Sequence, residues 1–171
     1  MSTENAPLVD TPSLSRRLAC MLYEALLLTG VVFATGFLFG VLTQTRNALD
    51  NRLGLQALLF IVLGVYFVWF WSKGGQTLAM KTWHLSLRDQ NGASVSQGRA
   101  CVRYLFAWVW VIPPVVAASS MKAAPAGTIA IVIVWIGIWS MLSFLRKDRQ
   151  FLHDAWAHTK LVYTKPVRPQ T

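Results

Sequence analysis

Charged side chains are scarce in this chain. Of 171 residues, 16 are Lys or Arg and 7 are Asp or Glu, so 13% carry formal charge, against about 25% in an ordinary soluble domain. Hydrophobic residues make up 54%, which excludes a disordered chain, since such chains are poor in apolar residues. An ordinary soluble domain is excluded too, because too few charges remain to cover its surface. There are two cysteines, Cys20 and Cys101, too few for a disulfide framework. Both lie at ends of apolar blocks and are expected to be free, buried thiols. Gly-x-Ser-x-Gly, His-Glu-x-x-His and Cys-x-x-Cys are all missing. A hydrolase, metalloprotease or redox enzyme would have no machinery here, so no enzymatic activity, no cofactor and no metal site is expected.

Long apolar stretches are what the chain has instead. Four of them, at 18–42, 53–72, 104–121 and 127–145, contain one charge in all, Glu24. About 20 apolar residues cross a bilayer core, so the fold class is an all-α membrane protein with four transmembrane helices. Pro113 and Pro114 interrupt the third, which is tolerable if neighbouring helices satisfy the freed carbonyls. The first block is longer than the 7–15 apolar residues of a signal peptide and is read as a retained helix. Residues 1–15 and 164–171 are read as tails around one membrane domain, 16–163.

The net charge of +9 could suggest nucleic acid, but its distribution argues otherwise. All basic residues except Arg46, Arg52 and Lys122 fall in the N-terminal segment, the loop between the second and third helices, or the C-terminal segment. Basic residues mark cytoplasmic loops, so both termini and the middle loop are expected in the cytoplasm. That basic face would meet anionic lipid. In the middle loop, Trp83, Leu85 and Leu87 alternate with polar residues from Thr82 to Arg88, which is strand periodicity. Asp89-Gln90-Asn91-Gly92 has turn chemistry, and a return strand through Val95 would complete a small cytoplasmic β-hairpin. An isolated hairpin is marginal in water, so it should lie on the membrane surface or against the C-terminal segment.

Glu24 is the most informative residue. A carboxylate near the membrane must face protein or water. Arg17 lies seven residues earlier on the same helix face, and Arg99 and Arg103 enter the third helix at similar depth. The expectation is a hydrogen bond from Arg17 or Arg103 to Glu24. Such a cluster fits a proton or cation site with a pKa set by a basic partner; it equally fits a structural ion pair. In the segment from Arg149 to Thr159, Asp154 and His158 are four apart and would share a helix face, with His153 one step round. That supplies at most two ligands where a metal needs three or four, so an interfacial amphipathic segment is expected. Gly36 and Gly40 form a GxxxG pattern, usable for dimerisation or internal packing. Gly74-Gly75-Gln76-Thr77 lacks the spacing of a phosphate-binding loop.

Three of these segments, taken in order, carry a resemblance. Ser15-Arg16-Arg17-Leu18-Ala19 leads into a helix with an acid at Glu24. Gly75-Gln76-Thr77-Leu78-Ala79-Met80-Lys81 follows the second helix, and Leu152-His153-Asp154 precedes Thr159. Together, over 13–163, they resemble the RDD family of bacterial membrane proteins, named for an arginine and two aspartates. Arg17 matches the arginine, Glu24 stands at the first aspartate and Asp154 matches the second. Ala79, Ala155 and His158 depart from the glycine, arginine and glycine of the pattern. The resemblance implies a multi-pass protein of the bacterial plasma membrane, with ion–proton exchange proposed for some members. Two functions follow as expectations. One is small-solute or cation/proton transport, with Glu24 titrating, Arg17 or Arg103 gating it and Asp154 at the cytoplasmic mouth. The other is a non-transporting scaffold or assembly factor whose charges hold helices together. A homo-oligomer through Gly36 and Gly40 would help four helices enclose a path.

Overall fold

The computed structural model describes residues 11–44, 51–142 and 151–164. Helix α1 spans Leu14–Thr43 and α2 spans Arg52–Lys73. A short helix α3 (Leu78–Thr82) leads into strand β1 (Leu85–Asp89). The third crossing comprises α4 (Gln97–Ala107), a 3-10 turn (Trp108–Trp110) and α5 (Ile112–Ser120). Helix α6 covers Pro125–Leu142; α7 (Leu152–Trp156) and strand β2 (Thr159–Tyr163) close the described chain. Four segments, 14–43, 52–73, 97–120 and 125–142, are long and apolar enough to cross a membrane. Most of the expected tail before residue 16 lies outside the described residues, as do 143–145 of the fourth block and the tail from 165. Where the chain is described, α1 starts earlier than expected, at Leu14, because Ser13 accepts from the amide of Arg16, the usual work of an N-cap serine.

The proline pair explains why the third crossing is broken. A proline has no N–H for the carbonyl four residues back, so Pro113 leaves the Val109 carbonyl without its helical donor. The chain tightens into the 3-10 turn and restarts with Pro113 and Pro114 in the first turn of α5. Trp135 of α6 donates its indole N–H to the Val109 oxygen at 3.1 Å. A neighbouring helix thus supplies the donor that proline removed.

The sheet differs from the expected hairpin. β1 pairs antiparallel not with a return strand but with β2, in a register that sets Leu85 opposite Tyr163 and Leu87 opposite Leu161. The turn falls at Asp89–Gly92 as expected, with Gly92 at φ +87° and its amide donating to the Asp89 carbonyl. After it the chain has no room for a strand: Ser96 caps α4 by accepting from the Arg99 amide, so Val95 is buried without pairing. The strand also starts later than alternation suggested, because Thr82 ends α3 and His84 sits at φ +54°.

The buried core lies at this sheet end. Cys20, Trp71, Ala79, Met80, Leu85, Leu87, Ala100 and Tyr104 pack together, joining α1, α2 and α4 to α3 and the sheet. Further along the helices, large apolar side chains point outward: Phe33 is 76% exposed, Leu42 74% and Leu53 82%. Exposed apolar area of that extent marks a surface meant for lipid or protein. Neither cysteine is in a disulfide; Cys20 is buried as expected, but Cys101 is exposed on the outside of α4.

Candidate functional site

Glu24 is buried in α1, and its carboxylate is held by two hydroxyls. Tyr66 of α2 donates to Oε1 at 2.7 Å, and the Thr77 hydroxyl bonds Oε2. Among the described residues no ion pair joins Glu24 to an arginine, which departs from the expected Arg17 or Arg103 contact. The reason is local. Thr77 caps α3, accepting from the Met80 amide, and this fixes the hydroxyl against α1. Thr77 itself is brought there by the glycine turn. Gly75 has φ +69°, and a Cβ there would lie 2.7 Å from the Leu87 carbonyl oxygen; only glycine fits so close an approach. The Gln76 amide nitrogen then donates to Leu85 O and Ser86 Oγ, both at 2.7 Å. The Gly-Gly-Gln-Thr run is therefore a joint tying α2 to the sheet.

Arg103 belongs to a different carboxylate. Its Nε and Nη2 both lie 2.7 Å from Asp154 Oδ1, and Asp154 is fully buried. The Arg103 guanidinium stacks 4.1 Å over the Trp71 ring. His153, expected to stand apart from Asp154, instead places Nε2 3.4 Å from Oδ1. Its Nδ1 accepts from the Trp110 indole at 2.9 Å. An indole nitrogen can only donate, so His153 carries its proton on Nε2, facing Asp154. Burial pushes the His153 imidazolium down to about 4, against the pull of Asp154, so the ring is neutral near pH 7. Burial raises the Asp154 carboxyl, but Arg103 and His153 outweigh it and hold it below its ordinary value.

The expected pairing of Asp154 with His158 on one helix face does not form. α7 ends at Trp156, and His158 has φ +53°; its Nδ1 lies 3.2 Å from Gln90 Nε2 instead. The segment is a buried anchor rather than an interfacial amphipathic helix. Arg99 pairs with Asp89 at 3.2 Å, outside the cluster. Arg17 is buried, donates from Nε to the Pro12 carbonyl at 3.0 Å and lies over the Phe151 ring at 5.4 Å.

Arg17, Glu24, Arg103 and Asp154 all line one cavity of about 370 Å³, whose remaining wall is largely apolar, including Leu28 and Phe67. Among its lining residues, Asp154 Oδ2, Trp71 Nε1 and Trp108 Nε1 are buried without a hydrogen-bond partner. Among the described residues no cluster of three or more His, Cys, Asp or Glu could hold a metal ion. Sequence reasoning found the four charged residues but missed Tyr66, Thr77 and Trp71. Thr77 alone left a trace, as an N-cap residue after a glycine pair.

No curated protein and no solved structure matches this chain. The family model of the RDD family matches residues 11–158, a span that contains the arginine, both acids and the glycine joint; the chain belongs to the RDD family.

Proposed function

We propose that this is a proton-linked transporter of a bacterial plasma membrane, not an enzyme, moving a cation or small solute with Glu24 as the proton carrier. The observation that carries this reading is the nature of Glu24's partners. Arginine can only donate and stays charged, so it would lock the carboxylate in its ionised form. A hydroxyl can donate to a carboxylate or accept from a carboxylic acid. Tyr66 and Thr77 can therefore satisfy Glu24 in both protonation states, which a carrier needs and a structural ion pair does not. Asp154 acts differently: bonded to Arg103, it anchors the C-terminal segment and the floor of the cavity. The termini and sheet would face the cytoplasm, their basic residues against anionic lipid. A homo-oligomer through Gly36 and Gly40 is part of the proposal, supported at Gly36 by open space around the Cβ position.

A scaffold or assembly role is the second reading, favoured by the Arg103–Asp154 pair, which joins α4 to α7 without help from any solute. Proteoliposomes containing a pH-sensitive dye, given a pH gradient with Na⁺, K⁺ or Li⁺ outside, separate the two. Wild type should pass protons and Glu24→Gln should not, while both remain folded. Equal flux in the two proteins would remove Glu24 from the mechanism. No flux from folded wild type with any cation would favour the scaffold.

A further inference from the structure

The two hydroxyls that hold Glu24 differ in what else they can do. Thr77 is 0% exposed. Its oxygen already accepts from the Met80 amide, and its O–H is spent on Glu24 Oε2. Among the described residues that O–H meets no second acceptor, so turned away from Glu24 it would be stranded in a buried site, which is costly. Tyr66 is only half-buried, and its hydroxyl bonds Oε1 at 2.7 Å. Thr77 lies beyond the end of the second crossing at Lys73, so the carboxyl that both hydroxyls touch sits near the membrane edge, within reach of water. There the Tyr66 hydroxyl can turn its hydrogen to a water molecule and accept instead.

That difference decides where a proton can sit. A protonated carboxyl donates from one oxygen and keeps a carbonyl at the other. With the proton on Oε2, Thr77 would have to accept it and strand its own hydrogen. With the proton on Oε1, Thr77 goes on donating to Oε2 and only Tyr66 reverses. The other charged or titratable groups around the cavity are Arg17, Cys20, Arg103, Tyr104, His153 and Asp154. Among the described residues, Glu24's side-chain hydrogen bonds are to the two hydroxyls and to none of these six. Glu24 lines the cavity of about 370 Å³, while Tyr66 and Thr77 are not among its described lining residues. The carboxyl therefore stands between the cavity on one side and Tyr66 on another.

We propose that the proton carried by Glu24 sits on Oε1 and comes and goes through the Tyr66 hydroxyl, Thr77 remaining a fixed donor to Oε2, while a solute meets Glu24 from the cavity. On release the Oε1–H bond breaks as the Tyr66 oxygen takes that proton, and the tyrosine's own hydroxyl proton passes to a water molecule. Carboxylate, neutral tyrosine and hydronium result, and uptake runs the same step backwards. The significance of this route for transport rests on the carrier reading above, but the position of the proton can be measured without flux.

The measurement is the infrared C=O stretch of protonated Glu24 in the full chain in lipid nanodiscs, from neutral to mildly acid pH. It is taken as the difference between each protein and its Glu24→Gln counterpart. A hydrogen bond to a carbonyl oxygen lowers the stretch. Thr77→Val removes the bond to Oε2 and should raise the frequency, Thr77→Ser should return it to the wild-type position, and Tyr66→Phe should produce no upward shift. In proteoliposomes Tyr66→Phe should cut Glu24-dependent proton flux by at least about tenfold, as expected for loss of a positioned proton-transfer group; Thr77→Ser should not. An upward shift in Tyr66→Phe, or none in Thr77→Val, would overturn the proposal. So would full flux in Tyr66→Phe, or no protonated Glu24 band from folded protein at any pH tested. Should Thr77→Val not fold, the band of Tyr66→Phe decides alone. The expected frequencies from a wild type that passes no protons would refute the carrier reading and leave the proton on Oε1. Glu24-dependent flux together with an upward shift in Tyr66→Phe would do the reverse.

Discussion

Arg103→Met and Asp154→Asn each remove one half of the same buried pair, yet they should respond to pH in opposite ways. Breaking a buried pair from one side costs about 3–5 kcal/mol, since the other charge is stranded. Here Asp154 is wholly buried and the Arg103 side chain is only 10% exposed, so the upper part of that range applies near neutrality. In Arg103→Met the stranded carboxylate can escape by taking up a proton. From its ordinary value of 3.8, protonation costs about 1.4 kcal/mol per pH unit. The penalty is thus capped at about 4 kcal/mol at pH 7 and about 2 kcal/mol at pH 5. In Asp154→Asn the stranded group is a guanidinium, which does not deprotonate, and the penalty stays constant. The assay is thermal unfolding in detergent, read by a thiol-reactive dye that reaches Cys20 only when the core opens. A Cys101→Ser background removes the exposed thiol. Compared with wild type at the same pH, Arg103→Met should recover about half its lost stability between pH 7 and pH 5, and Asp154→Asn none. Equal recovery in both, or no loss in either, would refute the assignment of this pair as the buried anchor.

Acid should weaken the wild-type fold through His153. Its folded value of about 4 lies below the ordinary 6.5, so between them the unfolded chain binds the extra proton. Stability is therefore full above about pH 6.5 and falls by about 3 kcal/mol as pH drops to about 4; His153→Gln, followed by the same dye, should flatten that slope. The depressed Asp154 carboxyl adds a further loss in the same direction below its ordinary value. Gly75→Ala should cost about 2 kcal/mol from the left-handed backbone alone, and more from contact with the Leu87 carbonyl; a midpoint equal to wild type would contradict the close approach. Trp135→Phe should lose about 1–3 kcal/mol by orphaning the Val109 carbonyl. Adding Pro113→Ala restores a local N–H, so the double variant should be less damaged than Trp135→Phe; an additive result would show that the two changes act on separate groups.

The crossings were legible because a bilayer demands a run of about 20 apolar residues and little else, and such a run is a local property. The break in the third crossing was legible for the same reason, since a proline's missing N–H is written at its own position. Trp135 as the compensating donor was not, because nothing local relates residue 135 to residue 109. The sheet shows the same division. Alternation around Leu85 and Leu87 announced a strand, but alternation cannot name a partner. Turn chemistry beside the strand points to a partner close in sequence, while the actual one, Thr159–Tyr163, lies across two membrane helices.

The charged residues divide similarly. Their presence in apolar surroundings marks Arg17, Glu24, Arg103 and Asp154 as costly and therefore positioned, and this much follows from the amino-acid order alone. Which charge meets which partner depends on side chains arriving from distant elements. Tyr66 and Thr77 reach Glu24 from α2 and α3 before any arginine can, and Arg103 is drawn to Asp154 and His153 from the far end of the chain. Hydropathy and turn chemistry act over a few residues, and they set the crossings and the glycine joint. Ion pairing and hydrogen bonding act over a few ångströms in space, so only the folded chain decided that one acid rests on hydroxyls and the other on a guanidinium.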